Sequence, residues 1–483
     1  MMTKADGPAD PAPAPLPTGR GIELLLLAFA AVLVTGALVL VEANQKQELT
    51  RALLFLGLAY LGLFGVAHLA VRRFAPYADP LILPSVALLN GLGLVMIHRL
   101  DLARVATDGP NAEQLAGKQV AWTAVGLVLF IVVLWQVRDH RVLSRYAYTA
   151  GFAGIILLAL PGLLPSAISE VNGAKLWIRV GPVGMQPGEF AKILLIVFFA
   201  AFLVQKRELF STAGRTFLGM ELPRARDLAP LLVAWGLSVG VLVLERDLGT
   251  SLLFFGIILV LLYAATERVS WMLIGLAFFV GGCVIAYQLF SHVRVRVLTW
   301  IDPLIPCPVD DPTVVACYDR GGFQISQALF GLGTGGLGGT GLGAGRPDLV
   351  PFAYSDFILS SLGEELGLIG LGAILVLYLV LITRGLRSAL AVRDSFGKLL
   401  ATGLAFTIAL QMFIVIGGVS KLIPLTGLTL PFLSYGGSSL VANYALVAML
   451  LRISNAARAP LQPKRAAAVP IAEAGTELVE RPS

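Results

Sequence analysis

Apolar residues in this chain form long runs separated by short polar segments, a pattern typical of membrane-spanning helices. A helix needs about 20 mainly apolar residues to cross a bilayer, and twelve runs approach or reach that length. The predicted spans are 21–41, 52–71, 80–97, 119–137, 146–164, 190–205, 229–244, 250–266, 271–290, 357–383, 398–419 and 437–452. A membrane β-barrel is excluded, because the short alternating segments of that fold are missing from the sequence.

The composition leads to the same fold class. Apolar residues make up 57% of the 483 positions and charged residues 14%, and the mean hydropathy is +0.82. A soluble domain has about 25% charged residues, so a soluble globular protein and a disordered chain are both excluded. The 3 cysteines are too few for a disulfide scaffold. The sequence therefore predicts an all-α polytopic membrane protein.

The basic residues predict its orientation. Lys and Arg accumulate in cytoplasmic loops, and they are more frequent on the side of the N-terminus than on the opposite side. Two clusters carry most of this signal: Lys206, Arg207, Arg215, Arg224 and Arg226 in one loop, and Arg384, Arg387, Arg393 and Lys398 in another. We predict a multi-pass protein of the cytoplasmic membrane with both termini in the cytoplasm. The net charge of +6 is interpreted as membrane orientation and lipid contact, not as a nucleic-acid site.

The connecting segments differ in complexity. Residues 1–20 and 455–483 are predicted to be disordered cytoplasmic tails. Residues 292–355 form a large loop on the outer side, and the aromatic residues and aspartates in it favour an ordered segment. Cys307 and Cys317 in this loop are predicted to form a disulfide, with two free thiols as the alternative. The glycine-rich run 331–345 formally matches a dinucleotide fingerprint, but it lacks the βαβ context, so flexible or close-packed backbone at a membrane surface is expected.

Four polar clusters lie at or near membrane depth, where polar groups are costly and often functional. They are residues 177–192, residues 245–250, the acidic residues Asp356, Glu364 and Glu365, and residues 421–439, in which prolines and glycines interrupt an apolar run. Snorkelling or helix capping is an alternative interpretation of each cluster by itself. Because all four fall on the predicted outer side, we expect them to line an outward-facing polar cavity.

Seven segments carry a family resemblance. They are 172–179 (NGAKLWIR), 186–192 (QPGEFAK), 247–250 (DLGT), 296–303 (RVLTWIDP), 322–327 (GFQISQ), 356–367 (DFILSSLGEELG) and 424–438 (PLTGLTLPFLSYGGS). In these segments the chain resembles the SEDS family (shape, elongation, division and sporulation) of RodA and FtsW proteins, and it is closer to the RodA branch. The resemblance implies a transmembrane core at 80–454. The two predicted helices within 21–73 would then be an N-terminal addition to the family core.

The resemblance also implies an activity. Such proteins polymerise lipid II into peptidoglycan strands through β-1,4 bonds, release undecaprenyl pyrophosphate and serve cell elongation, shape or division. They work with a class B penicillin-binding protein, a transpeptidase, and with the elongation or division machinery. Two alternatives remain open: a lipid II flippase, and a non-catalytic activator of the transpeptidase.

The family's essential aspartate lies in an Asp-Pro segment of the outer loop, and two positions match it. Two positions remain because this chain has extra residues here and has Phe323 where the family has Tyr. Asp311 is the better match and Asp302 is the second. A carboxylate there would take the proton of the acceptor 4-hydroxyl as it attacks the donor sugar. Mg²⁺ or Mn²⁺ at Asp311 is compatible with this chemistry, and no organic cofactor is expected.

The departing pyrophosphate needs positive charge nearby. The basic candidates are Lys175, Arg179, Arg294, Arg296 and Lys421. The other predicted substrate-binding residues are Trp177, Gln186, Glu189, Gln324, Asp356, Glu364 and Ser434. Structural pairing within the protein is the alternative role for the acidic members of this set.

Overall fold

The computed structural model describes residues 18–46, 51–109, 112–171, 174–181, 183–206, 215–217, 220–222, 229–304 and 322–460. Asp311, Cys307 and Cys317 lie outside the described residues, as do most of the two predicted tails. The proposed disulfide and the proposed catalytic base therefore stay predictions.

Long helices account for nearly all of the described structure. They are α1 (Arg20–Asn44), α2 (Arg51–Phe74), α3 (Ile82–Asp108), α4 (Leu115–Gln136), α5 (Ala147–Leu163), α6 (Gly188–Gln205), α7 (Ala229–Leu244), α8 (Leu248–Thr266), α9 (Val269–Leu289), α10 (Ser291–Ile301), α11 (Phe323–Gly335), α12 (Ile358–Ala391), α13 (Ser395–Val419) and α14 (Gly437–Arg458). Every predicted span coincides with one of these helices. Within the described residues, 11 helices are long and apolar enough to cross a membrane, while α7 has 16 residues. The prediction of a polytopic helical membrane fold is confirmed.

The connections contain short elements that the sequence pattern did not predict. Among the described residues, three antiparallel hairpins are formed by β1 (Glu170–Val171) with β2 (Ala174–Lys175), β3 (Ile178–Val180) with β4 (Val183–Met185), and β5 (Arg215–Phe217) with β6 (Met220–Leu222). 3-10 helices occur at His140–Tyr146 and Pro347–Leu349, and a single helical turn at Ser166–Ser169. Helices α10 and α11 lie within the predicted large outer loop and give it an ordered frame.

The centre of the bundle is formed by α3 and α14. In each of them 83% of the most apolar stretch is buried inside the protein, against 33% for α1 and α4. Helix α3 packs on α1 and α12, and α14 packs on α4. The two N-terminal helices share one hydrophobic core with the rest of the chain, since Val34 and Phe64 are both buried in it. The polar segments therefore join helices that are fixed by this core.

The glycine-rich run packs closely against the first part of α12. The backbone N–H groups of Thr340 and Gly341 donate to the carbonyl oxygens of Glu364 and Glu365 at 2.9 and 3.0 Å. Gly367 interrupts the helix with φ of 68° and ψ of −172°. Its left-handed backbone, which glycine adopts readily, lets the next two N–H groups of α12, those of Leu368 and Ile369, donate to the carbonyl oxygens of Gly336 and Leu337 in the glycine-rich run. Close-packed backbone, one of the two expectations for this run, is what the structure shows.

Replacing Gly367 with alanine is expected to lower the free energy of unfolding by more than about 1 kcal/mol. An added Cβ would lie 2.2 Å from the backbone nitrogen of Gly339, and the positive φ disfavours any side chain. Gly372, further along α12, is the matched control because a Cβ there meets no atom within 4 Å. Thermal unfolding in detergent should show a clear loss for G367A and none for G372A. Equal shifts in the two variants would contradict this account of the helix break.

Candidate functional site

Residues 421–439, which we call the 421–439 segment, join α13 to α14 through largely non-helical backbone. Lys421, Gly427 and Phe432 all have positive φ. Polar backbone among membrane helices must find partners inside the protein. Side chains from other elements supply them here: Trp300 Nε1 donates to the carbonyl of Lys421 at 3.0 Å, and Gln411 Nε2 donates to that of Thr429 at 2.9 Å. The prediction of broken backbone in this segment is confirmed.

Three charged side chains lie near one another beside this segment, and we call them the Asp247–Arg296–Asp356 cluster. Arg296 projects from α10, and its Nη1 donates to the carbonyl oxygen of Leu425 at 2.6 Å. The guanidinium interacts electrostatically with both Asp247 and Asp356. Gly427 borders the cluster, since a Cβ there would lie 3.5 Å from Asp356 Oδ2 and 3.9 Å from Arg296 Nη2. The positive φ of 80°, and not a lack of space, favours glycine at this position.

Asp247 is fixed in the cluster by the start of α8. It is the N-cap of that helix, and its Oδ1 accepts the backbone N–H of Thr250 at 3.0 Å. The Thr250 hydroxyl donates to the other carboxylate oxygen. This is the usual role of aspartate at a helix start, so Asp247 caps a helix and balances Arg296 at the same time.

Burial changes the proton affinity of the acids around Arg296. It raises the pKa of Asp356 to about 7, although the nearby Ser355 hydrogen bond and the Arg296 charge act in the opposite direction. Burial also raises the pKa of Asp247, against the hydrogen bonds from Thr250 and the charge of Arg296. The neighbouring Glu245 has its pKa raised to about 9 by burial and by the charge of Asp247. Asp356 in the cluster and the neighbouring Glu245 can therefore carry a proton near neutral pH.

The titration of Asp356 should appear in the stability of the protein. An unfolded aspartate titrates near pH 3.9, so between about pH 4 and about pH 7 the folded state binds this proton more tightly than the unfolded state does. Its contribution to the free energy of unfolding therefore falls as pH rises through that window, by at most about 1.4 kcal/mol per pH unit. Asp356→Asn should reduce the measured slope by this contribution, while Glu245 keeps its own, in thermal unfolding between about pH 5 and about pH 8. Asp302→Asn, at an exposed position outside the cluster, should keep the wild-type slope, and an unchanged slope in D356N would contradict the assignment.

Two further predicted residues also meet at the 421–439 segment. Ser434 Oγ donates to the carbonyl of Ser355 at 2.6 Å and accepts the N–H of Leu430 at 2.8 Å. The backbone N–H of Gln186 donates to Ser438 Oγ at 2.9 Å. Family-like segments that are far apart in sequence are thereby brought to one place.

Glu189 reaches the same segment through a chain of polar side chains. Its carboxylate pairs with Lys192, whose Nζ also donates to Gln411 Oε1 at 3.1 Å. Gln411 in turn binds the segment at Thr429. Sequence reasoning missed Gln411, although a lone glutamine in the apolar run 398–419 was a usable signal.

Glu364 and Glu365 face the glycine-rich run. Glu364 Oε1 accepts the backbone N–H of Arg346 at 2.6 Å, and Glu365 Oε2 accepts that of Gly343 at 2.9 Å. Arg99 Nε pairs with Glu365 Oε1 at 3.1 Å, and both side chains are buried. These contacts fit the structural pairing that was the alternative for the acidic residues. Arg99 itself was missed, because it lies just beyond an apolar run and outside every recognised segment.

The other predicted substrate-binding residues make their described contacts elsewhere. Lys175 stands opposite Glu170 in the first hairpin, and the exposed Arg179 lies in the second. Between the hairpins, the backbone N–H of Trp177 donates to Ser169 O at 3.3 Å. Arg294 is exposed, and its Nη2 donates to the carbonyl of Gln288 at 3.1 Å. Gln324 lies half-buried on α11.

The predicted catalytic loop starts from the end of α10. Asp302 is exposed there, and its Oδ1 accepts the N–H of Leu304 at 2.9 Å. A Cβ built on Gly322 would lie 2.6 Å from the carbonyl oxygen of Pro303. The residues on either side of 305–321 therefore lie next to each other, close to the end of α10, the helix that carries Arg296.

A metal centre made of protein ligands alone is not found in the part of the chain that the structure describes. No group of three or more His, Cys, Asp or Glu side chains there is placed to hold an ion. Asp247 and Asp356 are carboxylates of the kind that Mg²⁺ prefers, but Arg296 already balances their charge. The predicted ion at Asp311 concerns residues outside the described part.

Fold and site together define a multi-pass helical membrane protein with a buried charge cluster beside an interrupted helix. A family model described as cell cycle protein, for FtsW, RodA and SpoVE, matches residues 79–459. The chain belongs to this FtsW/RodA/SpoVE family, and the resemblance noted in the sequence is confirmed.

Individual relatives are similar over most or all of the chain. The peptidoglycan glycosyltransferase RodA of Mycobacterium tuberculosis is 57% identical over 481 residues, which cover 100% of both chains. Two solved structures are 26% identical. One concerns the coordination of polymerization and crosslinking by a peptidoglycan synthase complex, with a TM-score of 0.59 over 78% of this chain and 97% of the other. The other is RodA of Thermus thermophilus, with a TM-score of 0.51 over 78% and 96%.

Proposed function

We propose that this protein polymerises lipid II into peptidoglycan strands by β-1,4 glycosyl transfer, releases undecaprenyl pyrophosphate and serves cell elongation and shape. It is an enzyme of the peptidoglycan glycosyltransferase class, as is the mycobacterial relative that matches its whole length. The observation that carries the proposal is the position of the Asp247–Arg296–Asp356 cluster. It places a partly buried cation on the short helix from which the loop with the candidate base departs.

In the proposed reaction Asp311 accepts the proton of the acceptor 4-hydroxyl. The hydroxyl oxygen attacks the donor anomeric carbon as the bond to pyrophosphate breaks on the opposite face. One carboxylate is enough, because pyrophosphate leaves without being protonated. Asp302 is the second candidate, and the hydrogen bond from Leu304 to its side chain favours a local turn as its role.

Arg296 is the proposed partner of the departing pyrophosphate. Its charge is shared with two acids, and the raised pKa of Asp356 allows that acid to be neutral near pH 7. With Asp356 protonated, one fewer carboxylate competes with a phosphate oxygen for the guanidinium of Arg296. Mg²⁺ or Mn²⁺ held by the lipid pyrophosphate and one carboxylate would add charge to this site.

The remaining parts of the proposal concern the surroundings of the site. We place the active site on the outer face of the cytoplasmic membrane, which the distribution of basic residues supports. We propose a class B penicillin-binding protein as partner, which the likeness to a synthase complex that polymerises and crosslinks supports. The family match begins at residue 79, and this supports a two-helix N-terminal addition at 21–73.

Purified protein, lipid II and a transpeptidase-inactive partner test this function. Glycan strands should form, and a lipid II analogue without the acceptor 4-hydroxyl should not be extended. Transbilayer movement of labelled lipid II without any polymer would identify a flippase instead. No polymer and no lipid movement, with restored crosslinking by an active partner, would identify a non-catalytic activator.

A further inference from the structure

A cavity of about 440 Å³ lies at the opposite end of the bundle from the predicted active site. It is formed where α2, α4 and α14 approach one another, and Arg73, Phe74, Trp135, Arg138 and Arg452 line it. The helix ends that meet here are predicted to be cytoplasmic. Three of the five lining residues are arginines and none is acidic, so the cavity is suited to an anion.

Arg452 gives the cavity a fixed positive charge. Its side chain is buried, with 7% of the residue exposed, and its two Nη atoms donate to the carbonyl oxygens of Phe74 and Leu134. Those carbonyls belong to the last turns of α2 and α4, where helix carbonyls lack partners within the helix. The Nε atom of Arg452 is buried and has no hydrogen-bond partner among the described residues. Because Nε is enclosed by protein, Arg452 contributes its charge to the cavity rather than a hydrogen bond.

The other two arginines increase the positive charge at the opening. Arg138 is exposed and lies near enough to Arg452 for their charges to repel. Arg73 is also exposed, and its guanidinium lies 5.8 Å from the ring centre of Phe74. A bound anion would relieve the repulsion between Arg138 and Arg452. The arrangement therefore attracts an anion more strongly than any one of its arginines would alone.

Trp135 indicates the source of that anion. It is 52% exposed and lies in the last turn of a membrane-spanning helix. Tryptophan at such positions marks the level of the lipid headgroups. A group that enters the cavity beside this indole at the bundle surface would come from the bilayer.

We propose that this cavity binds the phosphate of an anionic phospholipid headgroup. The phosphate oxygens accept hydrogen bonds from the exposed guanidinium groups of Arg73 and Arg138, and Arg452 adds a fixed positive charge. The lipid links α2, which lies outside the family match at 79–459, to α4 and α14 within it. Assignment to the inner leaflet follows from the predicted orientation, whereas binding itself does not depend on it.

Lipid retention tests the proposal. The protein is exchanged into detergent with equal amounts of phosphatidylglycerol and phosphatidylcholine, and bound lipids are counted by native mass spectrometry. The double variant R73Q/R138Q keeps Arg452 and its two helix contacts. It should retain phosphatidylglycerol about thirtyfold less tightly, on the basis of about 1 kcal/mol for each arginine near a membrane surface. Phosphatidylcholine should be unaffected.

R72Q/R145Q is the matched control, because it removes two exposed arginines from the same side of the bundle that do not line the cavity. It should retain phosphatidylglycerol as the wild type does. Equal losses in the two double variants, or no loss in R73Q/R138Q, would overturn the proposal. Titration of delipidated protein with inorganic phosphate, followed by the part of the tryptophan fluorescence change that Trp135→Phe removes, distinguishes the source. Phosphate binding that R73Q/R138Q abolishes, without any preference for phosphatidylglycerol, would overturn the assignment to a lipid.

Discussion

Replacing Arg296 with methionine is expected to lower the rate of glycan polymerisation by about a hundredfold or more. Removing a single group that stabilises charge in a transition state has an effect of this size. Methionine has a similar length, but it provides no charge for the pyrophosphate and leaves Asp247 and Asp356 without their shared cation. The measurement is the initial rate of strand formation from lipid II by purified protein.

Arg294 provides the control for this prediction. It lies two residues earlier on the same helix, is exposed, and contacts the end of α9 rather than the charge cluster. R294M should retain most of the activity, and R296K should recover only part of it, because lysine lacks the planar guanidinium. Thermal unfolding of each variant separates loss of catalysis from loss of folding. Equal rates in R294M and R296M would remove Arg296 from the proposed mechanism.

The second large effect is expected for stability, at the pair of Arg99 and Glu365. Removing one partner from a buried ion pair leaves an unpaired charge, which typically destabilises a protein by about 3–5 kcal/mol. R99M should therefore lower the midpoint of thermal unfolding strongly. It also removes the hydrogen bond from Arg99 Nη2 to the carbonyl of Gly345 at 2.7 Å. The glycine-rich run should then lose its attachment to α3.

An exposed ion pair provides the comparison. Lys118 and Glu113 pair at the surface, with 51% and 65% of their side chains exposed. K118M should change the unfolding midpoint little, because exposed pairs contribute little to stability. The double variant R99M/E365Q should recover part of the loss, since it leaves no unpaired buried charge. An equal midpoint in R99M and K118M would show that the buried pair does not hold the run in place.

The spans could be predicted from sequence because each needs only a long apolar run. The ends of the helices could not be predicted, since a helix continues past the apolar run wherever its backbone hydrogen bonds are satisfied. The run 357–383 illustrates this: helix α12 extends to Ala391 through Arg384 and Arg387. The hairpins at 170–185 were missed because their strands are only two or three residues long, too short for an alternating pattern.

The candidate site was predictable in part for a similar reason. Polar residues in apolar surroundings identified Asp247, Asp356 and the 421–439 segment. The sequence could not show that Arg296 faces the charge cluster while Arg294 is exposed, because packing decides which side of α10 faces the bundle. It also could not separate Asp356 from Glu364, which lie in one motif while the structure directs them to different partners.

The central claim is that one aspartate of the outer loop accepts the proton of the sugar hydroxyl. It is tested most directly by strand formation from lipid II with purified wild type, Asp311→Asn and Asp302→Asn. All three must be compared in the same membrane mimetic and with the same unfolding midpoint. The account predicts that D311N makes no detectable polymer while D302N keeps most of the activity. Polymerisation at the wild-type rate by both variants would contradict it.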